Sequence, residues 1–206
     1  SEMTRSTFVK TACAALLAVT AAGAALASPG ASVPASGKLA FDVIRKGKDI
    51  GNYTLTFNGK GGDLTVGIAT DVKVKVPIIG VSAYTFQQQS TETWRGGKLA
   101  ALASQTDDNG TAHKVNSGPT PLVPASLWNA DIVNARQVQH TINGGTDKIS
   151  VTKLGEESVN TGAGAVKAMH YAVSGGLDRD LWYQDGKLVH VRFKAEDGST
   201  IDYVLR

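Results

Sequence analysis

Between Leu64 and Val76 the chain alternates in character over an unusually long stretch. Leu64, Val66, Ile68, Val72, Val74 and Val76 share one parity with Thr70, while Thr65, Gly67, Ala69, Asp71, Lys73 and Lys75 hold the other. A helix would scatter these apolar residues around its circumference, whereas a strand collects them on one face. Fully extended, such a strand spans about 43 Å at ~3.3 Å per residue. A compact domain of this size is only about 40 Å across. The strand is therefore expected to coil, with Gly67 as the expected bend point. Long coiled strands favour an up-and-down barrel or an open half-barrel over a flat sandwich.

The remaining chain supports the same class. Leu39, Phe41 and Val43 alternate with Ala40 and Asp42, and Tyr53, Leu55 and Phe57 lie opposite Asn52, Thr54, Thr56 and Asn58. Val189, Val191 and Phe193, then Ile201, Tyr203 and Leu205, mark strands near the C-terminus. Lys48-Asp49, Gly61-Gly62, Gly96-Gly97, Asn109-Gly110, Gly144-Gly145, Asp185-Gly186 and Asp197-Gly198 read as the turns between them. One short helix is expected over Ser126–Val133, after Pro124. The expectation is an all-β fold, a curved antiparallel meander forming an up-and-down barrel or open half-barrel, with one short helix. Trp94-Arg-Gly-Gly-Lys-Leu99 faintly echoes Trp182-Tyr-Gln-Asp-Gly-Lys-Leu188.

The N-terminal stretch speaks to location. Arg5 and Lys10 precede an uncharged Ala/Leu/Val run from Thr11 to Leu26, closed by Ala25-Leu26-Ala27. That order of basic, apolar and small segments is the secretory signal pattern. The run is too short and Ala-rich for a spanning helix, which needs about 20 apolar residues. Cleavage is expected near Ala27/Ser28, giving a periplasmic or secreted protein. Ser1-Glu2 reads as a tag remnant ahead of Met3, residues 28–37 as a flexible linker and residues 38–206 as a single β domain. Cys13, the only cysteine, lies inside the signal and follows Lys10-Thr11-Ala12, which does not resemble a lipobox. The mature domain then has no thiol, which excludes disulfides, thiolate catalysis and Cys-ligated zinc. A formal net charge of +3 over the full sequence, scattered along the strands, gives no concentrated basic face for nucleic acid.

Catalytic and metal signals are thin. His113, His140, His170 and His190 fall on separate expected strands, and none has an i, i+2 or i, i+4 metal-ligating partner. His190 shares its parity with Arg192 and Lys194 and reads as solvated. Gln105, Asp107, Asn109 and Gly110 look like the opening of a calcium loop, but Asn116 stands where the closing glutamate belongs, so a hairpin turn is the better reading. Gly80-Val81-Ser82-Ala83-Tyr84 lacks the last glycine of a nucleophile elbow. The carboxylates at Glu156-Glu157 and at Asp178/Asp180 adjoin glycine-rich connections and read as solubilising. No cofactor motif is present, and the balance leans away from an enzyme.

The aromatic residues are more informative. A curved sheet with an apolar concave face needs a helix or a ligand to fill it, and only one short helix is on offer. Ordinary core packing is the commoner role of large aromatics, and a ligand cavity is the main alternative. In the ligand reading, Tyr84, Phe86, Trp94, Trp128 and Trp182 are the wall or lid residues.

Several segments taken together carry a resemblance. They are Phe41-Asp-Val-Ile-Arg-Lys-Gly47 with Ile50-Gly51, Ser90-Thr-Glu-Thr-Trp94-Arg-Gly-Gly-Lys-Leu99 followed by Ser104-Gln-Thr-Asp-Asp-Asn-Gly110, Ala125-Ser-Leu-Trp128-Asn129, and Leu181-Trp-Tyr183 through Ile201-Asp-Tyr-Val204. In this order they resemble the exported bacterial domain-of-unknown-function family numbered six-one-three-four, over Leu39 to Leu205. The resemblance implies a secreted antiparallel β protein, similar in outline to the half-barrels that carry lipoproteins and lipids across bacterial envelopes. It implies no activity. Where the family is expected to have an additional strand or hairpin, this chain has only Asn-Ser-Gly-Pro-Thr-Pro after Val115. Either a sheet one or two strands smaller or an opening in the barrel is expected there.

Two functional readings follow. The first is an exported, non-enzymatic envelope protein binding a lipid or another apolar small molecule. The alternative is an envelope scaffold with a solid core, docking another envelope protein. An enzyme of unknown type ranks behind both. An integral outer-membrane barrel is disfavoured, because the chain closes on Val204-Leu205-Arg206 without a terminal aromatic and aromatics make up 6% of the sequence.

Overall fold

The computed structural model describes residues 33–75 and 82–206. The expected signal, Cys13, the first half of the expected linker and Gly80-Val81 lie outside the described residues. Residues 33–37 form a turn, with Gly37 N donating to Pro34 O at 2.9 Å and Val33 packed on the core.

The strands are β1 (Lys38–Arg45), β2 (Lys48–Lys60), β3 (Asp63–Lys75), β4 (Ser82–Arg95), β5 (Lys98–Asp108), β6 (Thr111–Ser117), β7 (Val123–Pro124), β8 (Gln137–Gln139), β9 (Thr146–Thr161), β10 (Gly164–Gly175), β11 (Arg179–Gln184), β12 (Lys187–Lys194) and β13 (Thr200–Leu205). They form a single 13-stranded sheet in the order β6-β5-β4-β3-β2-β1-β13-β12-β11-β10-β9-β8-β7. Every pairing is antiparallel except the two-residue contact of β7 with β8. The sheet is open. Its two edges are β6 and β7, so the gap falls at the short connection between Ser117 and Val123. The first and last strands meet in the middle of the sheet, with Phe41 opposite Leu205 and Val43 opposite Tyr203.

The alternation of β3 is realised as read. Leu64, Val66 and Ile68 are buried on the inner face beside Leu55 and Phe57 of β2. The ladder passes through Gly67 without a shift, and a Cβ there would meet open space. Bulges at Thr93/Trp94, His170/Tyr171 and Trp182/Tyr183, among others, add local twist and coil. The first hairpin turns at Lys46-Gly47, not Lys48-Asp49. Its left-handed φ values of 51° and 73° match those of Asn109-Gly110 and Asp185-Gly186, the mirror-type turn that fits strand twist.

The expected helix over Ser126–Val133 is corrected to a single 3-10 turn, Ala130–Asn134. Asn129 caps it by accepting from Asp131 N at 3.0 Å. Leu127 adopts a left-handed φ of 72°, which breaks any helix through Ser126–Trp128. This irregular segment enters the half-barrel and fills one end of it: Leu127, Trp128, Ala130 and Ile132 all join the main core.

Candidate functional site

Three rows of inner-face residues divide the interior. At the filled end, Val66, Glu92 and Leu102 stand side by side on β3, β4 and β5. Glu92 is fully buried there and accepts from Trp128 Nε1 at 2.8 Å and Ser126 Oγ at 2.9 Å. Burial raises its carboxyl to about 7 against these two hydrogen bonds. Trp94 Nε1 faces the same carboxylate from outside hydrogen-bond geometry and has no protein partner. The plug is also held by Tyr53, which donates to Ser126 O, and by Tyr183, which donates to Leu127 O at 2.5 Å. Burial pushes both phenols upward, so they remain neutral donors. Trp128 packs edge-on against Phe57 and Trp94, with centroids 5.2 and 5.6 Å away.

A polar belt comes next. Thr70, Gln88 and Thr106 are buried in one row, and Gln88 Nε2 donates to Thr106 Oγ1 at 2.9 Å. Beyond it lies the open end, where Val72 and Phe86 are only half-buried and Tyr84 is 38% exposed. Tyr84 lies eight residues along β4 from Glu92, about 26 Å away at the strand rise. Its hydroxyl donates to Asp108 at 2.7 Å, and burial together with Asp108 raises its pKa. Phe193 and Tyr203 close the opposite wall, with ring centroids 5.8 Å apart.

The structure thus distributes the five sequence-selected aromatics over three places. Trp94 and Trp128 are together in the plugged core, and Tyr84 and Phe86 are together at the open end. Trp182 is on the outer face. There the β9–β10 hairpin folds over β11–β13, with Gly162 N donating to Leu205 O at 2.7 Å. A small second core of Ala168, Trp182 and Val189 forms beneath it. His170 stacks on Trp182 at 4.1 Å and places its two ring nitrogens 2.9 Å from Glu157 and 2.7 Å from Asp180. Trp182 Nε1 donates to Glu157 at 3.0 Å, and these contacts hold the Glu157 carboxyl below its ordinary value. Glu157 and Asp180 are therefore strand residues engaged in a network, not loose solubilising charges.

His190 is likewise corrected from solvated to buried, at 7% exposure. The hairpin covers it, and Asp202 lies 2.7 Å from its Nε2. Desolvation lowers its pKa against the pull of Asp202. The calcium-like segment is a hairpin turn, in which Asp107 accepts from Gly110 N at 2.7 Å. Among the described residues no three His, Asp, Glu or Cys side chains converge as metal ligands.

Two adjoining grooves of about 450 and 780 Å³ open on the outer face of β2–β6. Their walls mix polar and apolar surface, with Gln89, Gln105 and Lys114 lining both, and Gly67 and Ala69 leave the floor low.

The family model described as "Domain of unknown function (DUF6134)" matches residues 41–206. The chain belongs to this family. No curated protein and no solved structure matches it. No helix among the described residues is long and apolar enough to cross a membrane.

For this DUF6134 domain, sequence reading missed Glu92 and Arg179. Both had a signal available. Glu92 shares its parity with Tyr84, Phe86 and Trp94, and Arg179 with Leu181 and Tyr183, so each is a charge on an otherwise apolar face.

Proposed function

We propose that the protein is an exported, non-enzymatic envelope protein that holds an apolar or lipid-like small molecule in the open end of its half-barrel. One observation carries the reading. Among the described residues the plug fills the interior as far as Tyr53 and the polar belt, and beyond them stand the half-buried apolar side chains of Val72, Phe86, Phe193 and Tyr203. In this reading Tyr84 and Phe86 are wall residues. Trp94 and Trp128 secure the plug that forms the floor, and Trp182 anchors the hairpin that stiffens the outer face. The signal pattern of residues 1–27 supports export.

A second reading is favoured by the outer grooves and by the edge strand β6, whose solvent side offers backbone groups to another chain. It makes the protein an envelope interaction module. Native mass spectrometry of protein purified gently from its own envelope, paired with solvent extraction, separates the two. A stoichiometric, extractable apolar mass supports the first. A clean apo mass that persists after incubation with envelope lipids refutes it and favours the module.

A further inference from the structure

Arg179 opens β11 on the inner face, at the open end of the half-barrel. Its neighbour across the ladder is the buried Val173, and its guanidinium lies 3.9 Å from the centroid of the Phe193 ring. Tyr203 and the Asp178 carboxylate are both close enough to influence it electrostatically, although neither is hydrogen-bonded to it. The guanidinium has five N–H donors, yet among the described residues its one hydrogen bond runs from Nη1 to the carbonyl of Asp178 at 2.7 Å. Among the described residues no carboxylate stands within ion-pair distance of it.

The contrast at the same end is Arg45. It is held by Asp197 at 2.6 Å and Ser199 at 3.0 Å, and is fully spoken for. Withdrawing a guanidinium from water without a counter-charge costs several kcal/mol, so an unpaired cation against aromatic rings is a poor way to stabilise a fold. Among the described residues, no acidic side chain of this end is hydrogen-bonded to Arg179. Asp108 takes the Tyr84 hydroxyl, and Glu196 is exposed in the β12–β13 turn. The Asp178 carboxylate, which attracts Arg179 from beyond ion-pair distance, accepts from Gly175 N at 3.3 Å.

We propose that Arg179 binds the head of an anionic single-chain amphiphile, a long-chain carboxylate whose tail lies over Val72, Phe86, Phe193 and Tyr203. The inference rests on the apolar-ligand reading above and adds the head-group chemistry. A planar guanidinium pairs with a carboxylate through two parallel N–H···O bonds, and the aromatic ring behind it excludes water from the pair. Tyr84 and the polar belt at Gln88 are about 13 Å apart by strand rise, the length of wall along which a chain would lie.

The test is a fluorescence titration of the purified full chain with cis-parinaric acid and with its methyl ester, in wild type and Arg179→Met. The acid is expected to bind wild type about tenfold more tightly than the ester, the worth of one charge-assisted pair. Arg179→Met is expected to erase that difference by weakening the acid alone, without lowering the melting temperature. Equal binding of acid and ester to wild type overturns the head-group assignment and leaves the apolar site standing. No binding of either overturns both. A folded Arg179→Met protein that keeps the preference for acid also overturns the assignment. If that variant fails to fold, the wild-type ratio decides alone.

Discussion

Glu92 gives the sharpest handle on how the plug is held. Its carboxyl is fully buried among Trp128, Ser126 and Trp94, and burial lifts it from the ordinary 4.5 to about 7. A carboxyl raised in the folded state binds its proton more tightly there than in the unfolded chain. Its contribution is therefore complete below pH ~4.5, where both states are protonated. Between pH ~4.5 and ~7 the unfolded chain ionises first, and stability falls by about 1.4 kcal/mol per pH unit, roughly 3 kcal/mol in all. Above pH ~7 the native carboxyl ionises too and the slope ends. Carboxyls held low, such as Glu157 and Asp197, act in the acid range below this window. Urea unfolding followed by tryptophan fluorescence at pH 5, 6, 7 and 8 measures the curve. Glu92→Gln keeps the volume, can accept from Trp128 Nε1 through its carbonyl and can donate to Ser126 Oγ through its amide. The variant is expected to lose this slope and to match or exceed wild type at pH 8. Parallel pH curves for the two proteins would refute the reasoning. So would a Glu92→Gln protein that is several kcal/mol weaker at every pH.

Trp128→Ala empties the centre of the plug, where the ring is fully buried against Phe57 and Trp94, and is expected to cost about 3–5 kcal/mol in the same unfolding assay. Gly62→Ala places a Cβ 2.5 Å from Gly97 N, where the β2–β3 and β4–β5 turns touch. A loss of about 1–3 kcal/mol is expected, with faster exchange of the Gly97 amide now bonded to Gly62 O at 3.0 Å. His170→Ala removes the link between Glu157 and Asp180. Hydrogen exchange is expected to rise in residues 156–167 while the amides of β1–β3 stay unchanged. Uniform protection in that variant would show that the small apolar core under the hairpin suffices to hold it.

What was legible followed from period. In β2 and β3 each side chain's face is fixed by its parity, and a buried face makes a register slip costly. The plug was not legible for the opposite reason. Ser126–Asn134 has no period at all, and its path is set by Glu92, Tyr53 and Tyr183, residues remote in sequence that reach it only once the sheet has coiled. Trp94 and Trp182 show the limit of local likeness. Both precede glycine-bearing turns and both sit at bulges, yet one faces the core and the other the covered outer surface. His190 misled because parity assumes that an outward face is wet. A hairpin bent back over β12 removes that assumption, and nothing local to His190 records it.

The meeting of β1 and β13 at mid-sheet has a consequence for how the molecule is made. Read from β7 through β13 and on from β1 to β6, the strands follow one another as an unbroken meander, interrupted in the chain only where its two ends pair. The six strands of the first half can zip by neighbouring hairpins, and so can β8 to β13 of the second, with β7 joining β8 in parallel. The two arrays join only when the last residues, Thr200 to Leu205, find the first strand. Contacts of such long sequence separation form slowly, since loop closure is spent before pairing rewards it. Until that join is made, β1 and β13 each present an unpaired edge. A chain truncated by its final strand would keep most of its residues and lose the seam that makes two half-sheets one. Aggregation during refolding should therefore be most sensitive to changes at this central seam, and least at the outer edges β6 and β7, which stay unpaired in the finished fold.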